Sequence, residues 1–175
     1  YSRFGDGRAV VRSCIREFLA SEALFHLGIS TSRALGVFTT SETVYRETPE
    51  QGAALIRLCP SHIRFGHFEY AGFQQSLSLL TRLVDYTVNF VIPKTAPEKA
   101  ELEQETPQQQ AYFILKFAVR TTAELIAKWQ AFGFCHGVMN TDNMSVLGLT
   151  FDYGPYGFLD AYEPKHICNH SDYSG

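Results

Sequence analysis

The sequence predicts an α+β fold, and three observations carry that prediction. A run with helical periodicity opens the chain, two β-like segments follow one another directly, and the rest is mostly helical before a loop-rich polar stretch. Strands and helices do not alternate, which excludes a doubly wound parallel sheet.

The opening Tyr1 to Gly7 reads as a loop, with Asp6 as the N-cap of the helix behind it. That helix is predicted from Arg8 to His26, because Val11, Cys14, Ile15, Phe18 and Phe25 recur at 3.6-residue spacing and Gly28 ends the run. Ala34 to Tyr45 and Ala53 to Leu58 alternate Val, Ile, Phe, Thr and Tyr around the turn-prone Thr48-Pro49-Glu50-Gln51-Gly52, the pattern of a hairpin. Tyr70 to Ile92 returns to helical spacing, and Pro93 to Pro107, rich in Pro, Glu, Lys and Gln, reads as a solvated connector. A long helix is predicted from Gln108 to Phe132, with Phe113, Phe117, Leu125 and Trp129 inward. After Gly133, the short segments Ser145 to Leu149 and Thr150 to Tyr153 are followed by Gly- and Pro-broken sequence to Leu159, and no internal repeat occurs.

The 175 residues have room for one ordinary domain or two small lobes, and 45% hydrophobic with 19% charged content is that of a globular protein. A net charge of −3 argues against an electrostatic nucleic-acid partner. No apolar run reaches the roughly 18 to 20 residues of a membrane span; the longest, Leu77 to Ile92, contains Arg82, Asp85 and Asn89. Cys14, Cys59, Cys135 and Cys168 are far apart and form no C-x-x-C pair, so reduced thiols in a cytosol-like compartment are expected. The chain starts at Tyr1 without an initiator Met, so a preceding segment is expected and targeting is not readable.

The densest polar cluster is His136-Gly137-Val138-Met139-Asn140-Thr141-Asp142-Asn143, followed by Asp152-Tyr153-Gly154. Kinase-fold phosphotransferases carry H-R-D-x-x-x-x-N, or H-G-D, and then D-F-G. Here His136, Gly137 and Asn143 hold their places, and Asp152-Tyr153-Gly154 stands for D-F-G, but the catalytic Asp is replaced by Val138. Val accepts no proton, so this is not an ordinary kinase loop. Asn143 and Asp152 remain as hard oxygen donors suited to Mg²⁺ or Mn²⁺, and a new carboxylate, Asp142, stands beside Asn143. An Asp-Asn pair alone is more often a turn and a cap; the surrounding motif reverses that reading.

The stretches YSRFGDGRAVVRSCIREFLASEAL, RLCPSHIRFGHFE, WQAFGFCHGVMNTDNMSVLGLTFDYGPYGFLDAY and ICNHSD resemble the selenoprotein O family. The match runs from Tyr1 to Asp172 and is weakest across Thr95 to Gln110. It implies a kinase-like two-lobed fold, with residues 1–66 as the remainder of the N-lobe and 67–175 as a C-lobe carrying the catalytic and metal-binding loop. The implied activity is metal-dependent transfer of AMP from ATP, bound in a flipped orientation, to Ser, Thr or Tyr hydroxyls of proteins. The resemblance makes Asp142 the general base, Asn143 and Asp152 ligands of Mg²⁺ or Mn²⁺, and Arg57 and Arg64 contacts to the nucleotide phosphates. The two arginines lie seven residues apart across a Pro-containing turn, and guanidinium forks suit phosphate, although either alone also fits a structural ion pair.

Asp6 and Gly7 match nucleotide-contacting positions; a Gly-Asp-Gly loop opening a helix offers free N–H groups but is by itself a weak signal. Glu17 matches the helix glutamate that pairs with a nucleotide-positioning Lys. Periodicity does not select it, since Glu22 lies nearer the centre of the apolar face of Val11, Ile15 and Phe18. The resemblance places the partner Lys and a Gly-rich loop before Tyr1, and a redox-active Cys or selenocysteine after Gly175, so the fragment alone is expected to be inactive. It implies a cytoplasmic protein in a bacterium and a mitochondrial one in a eukaryote, with no nucleic-acid or membrane partner. The alternatives are an ordinary phosphotransferase using Asp142, and a silent ATP-binding pseudokinase scaffold.

Three other features are read as structural. His166, Cys168 and His170 put three donors in five residues, but a zinc site wants four spaced ligands and no second cluster occurs. Cys135 and Trp129 read as core, and His62 and His67 as local hydrogen-bonding partners around Arg64.

Overall fold

The computed structural model describes residues 5–92 and 106–171. Its element order is β1 (Ala9–Val10), α1 (Val11–His26), β2 (Arg33–Tyr45), β3 (Pro49–Leu58), α2 (Phe65–Phe73), α3 (Leu77–Tyr86) running into a π-helical turn (Thr87–Val91), α4 (Pro107–Ala131), β4 (Phe134–Cys135) and β5 (Gly157–Phe158). This is the mixed α and β order that the sequence predicts. The expected connector lies outside the described residues except for its last two positions.

The first helix starts later than its periodicity indicates. Ala9 and Val10 are drawn into a short antiparallel pairing with Ala53 and Gly52, so the N-cap is Val10, with no side-chain cap bond. Asp6 is therefore not the helix cap; its carboxylate accepts from the Arg8 N–H at 2.9 Å instead. At the other end Gly28 N–H donates to Phe25 O and Ile29 N–H to Leu24 O, each at 3.0 Å, a Schellman motif with Leu24 and Ile29 in contact in the core.

β2 and β3 form the expected hairpin, and with β1 they make a three-stranded antiparallel sheet in the order β1-β3-β2. The turn is tighter than predicted. Tyr45 pairs with Pro49, so Pro49 to Gly52 already belong to β3, with Pro49 at the first strand position, where its missing N–H costs no ladder bond.

The predicted helical stretch from Tyr70 to Ile92 is two helices. α2 begins earlier, at Phe65, and the chain breaks at Gln75, whose φ is 51°, before Ser76 caps α3 by accepting from Leu79 N–H at 3.3 Å. α4 opens on a capping box between Thr106 and Gln109 with Pro107 in its first turn.

Three faces meet in the main core. Ala20 and Leu24 of α1 and Ile29 pack with Leu125 and Trp129 of α4 and with Phe134, Met144 and Tyr153. A second cluster joins Val84, Val88 and Ile92 to Ile114 and Phe117, with Phe113 packed against it half-buried. The pairing of β4 with β5 closes the loop-rich stretch between them, and that stretch is held against both α1 and α4. No helix among the described residues is long and apolar enough to cross a membrane.

Candidate active site

The site is built from the loop after β4, and a ring of buried and half-buried hydrogen bonds holds that loop. Thr150 Oγ1 donates to Asn143 O at 2.9 Å and lies 2.8 Å from His136 Nε2. Because the Thr150 proton is spent on Asn143, Nε2 is the donor to Thr150. Nδ1 accepts from Val138 N–H at 3.2 Å, so the imidazole is held neutral with its proton on Nε2. Burial lowers the His136 pKa below 6.5, and the nearby Asp152 charge opposes that only in part. Trp129 stacks on the imidazole at 5.2 Å.

Asn143 is 7% exposed. Its Nδ2 donates to Val138 O at 3.0 Å, which turns Oδ1 away from the loop, where it accepts no hydrogen bond among the described residues. Val138 thus works through its backbone at both ends, and its side chain needs no polar group. Phe151 N–H donates to Asn143 O at 3.2 Å and Met144 pairs with Thr150, which brings Asp152 alongside Asn143. Asp142 and Asp152 are exposed, and neither carboxylate receives a hydrogen bond among the described residues. The Asn143 amide oxygen and the Asp152 carboxylate, free of protein donors among the described residues, are hard oxygen atoms of the kind that Mg²⁺ or Mn²⁺ takes. Gly137 has φ 81°, and a Cβ there would lie 2.7 Å from Cys168 Sγ, so the His-Gly pair is a packing requirement.

Asp142 is placed from the opposite side by the segment entering α2. Arg64 Nη1 donates to Asp142 O at 2.7 Å, and Gly66 N–H donates to Thr141 O at 2.7 Å. Thr141 Oγ1 also bonds the Glu69 carboxylate. Arg64 lies 4.7 Å over the Phe151 ring, on which His62 stacks at 5.4 Å. His67 Nδ1 accepts from Arg64 N–H at 3.1 Å, the local bonding role expected of it.

Arg57 projects from β3 into an ion pair with Glu17 of α1. Burial works against the Arg57 charge, while the Asp152 carboxylate favours it. Its Nη1 is buried without a hydrogen-bond partner among the described residues, an unmet donor beside the Asp152 loop. Glu22, the other inward candidate, is committed elsewhere: Arg33 grips it at 2.9 and 2.7 Å and Ala34 N–H donates at 3.0 Å. These contacts hold its carboxyl at about 2.

The structure therefore brings Glu17, Arg57, Arg64, Asp142, Asn143 and Asp152 into one linked region. Asp6 and Gly7 are joined to the hairpin tip instead, since Arg46 grips Asp6 at 2.8 and 3.0 Å and Gly7 is exposed at φ 68°. Sequence reading did not find Thr150, Phe151 and Glu69, which have no motif signal; Thr150 and Phe151 look only like strand residues.

The family model for the protein adenylyltransferase SelO matches residues 1–175. Three relatives are named protein nucleotidyltransferase YdiU. The one from Erwinia tasmaniensis is 58% identical over 177 residues, covering 100% of this chain and 35% of the relative. Those from Aeromonas hydrophila and Marinomonas sp. are 57% and 53% identical, over 100% of this chain and 34% and 35% of theirs. The chain thus spans about a third of the length of the curated relatives it matches. On the full-length match of that model and these identities, the chain belongs to the SelO protein adenylyltransferase family.

Proposed function

We propose that these residues form the nucleotide- and metal-binding centre of a protein adenylyltransferase that moves AMP from ATP to Ser, Thr or Tyr hydroxyls. In this reading residues 1–66 and 67–175 are parts of the two lobes of a kinase-like fold. One observation carries it: the position of the kinase base is Val138, whose hydrogen bonds are made by its backbone, while the adjacent loop presents Asp142 exposed and without a donor among the described residues, beside Asn143.

The acceptor hydroxyl gives its proton to the Asp142 carboxylate as its oxygen attacks the α-phosphorus. The bond from that phosphorus to the bridging oxygen breaks, and pyrophosphate leaves. Asn143 Oδ1 and the Asp152 carboxylate would hold Mg²⁺ or Mn²⁺, which supplies charge neutralisation of the phosphates. Arg57 offers its unpartnered Nη1 to a phosphate oxygen, and Arg64 keeps further N–H donors after spending one on Asp142 O. Because Arg64 also fixes the carbonyl of the base residue, phosphate placement and base placement are linked through one side chain.

The test is which phosphorus moves. A full-length chain carrying this sequence should label proteins from ATP with an α-phosphate tracer and release pyrophosphate. Label arriving from the γ-position with ADP as product would overturn the reading in favour of a phosphotransferase. Nucleotide binding with no label from either position would favour a silent scaffold.

A further inference from the structure

Arg16 and Tyr156 make three contacts with each other across 140 residues. Arg16 Nη2 donates to Tyr156 O at 3.0 Å, Tyr156 Oη donates to Arg16 O at 3.0 Å, and the guanidinium carbon lies 4.5 Å from the Tyr156 ring centroid. The two hydrogen bonds run in opposite directions and each uses the other residue's backbone. The pair therefore fixes main chain to main chain, not merely two side chains. The Tyr156 ring is anchored in turn, stacked on Phe134 at 5.8 Å and edge-on to Tyr153 at 6.2 Å.

What this joins is specific. Arg16 precedes Glu17, the ion-pair partner of Arg57, and Tyr156 lies four residues after Asp152. No hydrogen bond holds the Asp152 carboxylate among the described residues, so its position depends on what fixes the chain on either side. On the N-terminal side, Ser32 Oγ donates to Thr150 O at 3.1 Å; on the C-terminal side, Tyr153 is buried with Ala20 and Leu24 of α1 and its hydroxyl bonds Thr31. Beyond Tyr153, the hydrogen-bonded attachment to α1 among the described residues is Arg16.

We propose that Arg16 and Tyr156 are positioning residues, a latch that sets the Asp152 carboxylate relative to the Glu17–Arg57 pair and so tunes metal-nucleotide binding. Neither residue touches the metal or the phosphates; both act through the backbone that carries Asp152. The proposal rests on the adenylyltransferase reading only in taking Asp152 as a metal ligand. Groups that orient a ligand from behind typically control metal affinity by 10- to 100-fold. An exposed guanidinium belongs at the low end of that range.

The experiment measures Mn²⁺ affinity of a full-length chain loaded with a non-hydrolysable ATP analogue, by the paramagnetic resonance of free Mn²⁺. Arg16→Ala should weaken Mn²⁺ binding about tenfold. Tyr156→Phe, which removes one hydrogen bond and keeps the ring, should weaken it about threefold. Arg16→Lys, which keeps a cation over the ring and a donor for Tyr156 O, should recover most of the loss. Thermal midpoints separate a latch from general damage; if Arg16→Ala does not fold, Tyr156→Phe decides. Unchanged Mn²⁺ affinity in the folded variants, or no Mn²⁺ binding by the unsubstituted chain, overturns the proposal. An unsubstituted chain that binds Mn²⁺ but transfers no AMP sinks the adenylyltransferase reading alone.

Discussion

Around His136 the hydrogen bonds join His136, Thr150, Asn143 and Val138 in a ring that is buried on the Thr150 side and half-buried at Val138, whereas around Asp6 they are ion pairs at the surface. In the second region Arg46 grips Asp6, Arg8 meets Glu42 and Arg12 meets Glu50, tying the first turn of α1 and the chain before it to the hairpin tip. Buried polar rings are rigid because each unmet group is expensive, while exposed ion pairs are weak, screened by salt and easily exchanged. The difference suits the proposed chemistry. The loop that would hold the metal ligands is fixed before any ligand arrives, and the loop that matches nucleotide contacts can trade Arg46 for a nucleotide at little cost.

The sharpest way to probe the rigid region is its exposed member. Asp142→Ala should lower AMP transfer by about 10² to 10⁴-fold while leaving ATP affinity nearly unchanged, since a general base acts on the transition state. Turnover and nucleotide binding measured on the same preparation decide it. Parallel loss of both would make Asp142 a structural residue of the loop.

A stability effect of about 3 kcal/mol is expected from Gly148→Ala. Gly148 sits at φ 67°, and a Cβ there would lie 2.6 Å from Thr121 Cβ and from the Thr121 backbone oxygen. The loop approaches α4 too closely for any side chain, and the backbone of α4 has no room to yield. Denaturant midpoints would show it; a change below about 1 kcal/mol would mean that the loop is not held against the helix as described.

The His136 ring predicts a smaller, pH-dependent effect. Its folded pKa lies below the ordinary 6.5, so its contribution is full above that pH and is lost as pH falls from about 6.5 through the folded value. The cause is concrete: protonating Nδ1 removes the acceptor for Val138 N–H inside a buried site. Thermal midpoints at pH 7.5 and 5.5 should differ in the unsubstituted chain and differ less in His136→Gln. Equal pH dependence in both would place the titrating group elsewhere.

The same contrast explains what the sequence made legible. The hairpin and the long α4 were readable because they rest on periodicity, although the Thr106-Pro107 capping start of α4 falls within the predicted connector. Asn143 and Asp152 were legible through a motif whose spacing reflects the turn that brings them together. The breaks were not legible. The early β1 pairing of Ala9 and Val10 depends on a partner more than 40 residues away, and the stop at Gln75 has no Pro to announce it. The choice between Glu17 and Glu22 was equally closed to periodicity. Each carboxylate meets an arginine from a different strand, Glu17 that of Arg57 on β3 and Glu22 that of Arg33 on β2.

The smallest effect belongs to the surface region, and it tests whether Asp6 is held as loosely as the comparison implies. Hydrogen bonds from Arg46, then from the Arg8 N–H, lower the Asp6 carboxyl from 3.8 to about 2. A depressed folded value means that the carboxylate stabilises the fold above pH 3.8 and that this contribution is lost as pH falls through about 2. Both partners are exposed, so the thermal midpoint at neutral pH should hardly move in Arg46→Gln. The carboxyl itself should respond. Its titration, followed by carbon NMR, should shift upward toward the ordinary carboxylate value in Arg46→Gln, and part of the way in the unsubstituted chain at 1 M salt, where the Debye length is about 3 Å. Adding Mg²⁺ and ATP to a full-length chain should perturb the same resonance if Asp6 leaves Arg46 for the nucleotide. A carboxyl indifferent to Arg46→Gln would show that the surface grip does not exist in solution, and the two regions would then differ in order as well as in burial.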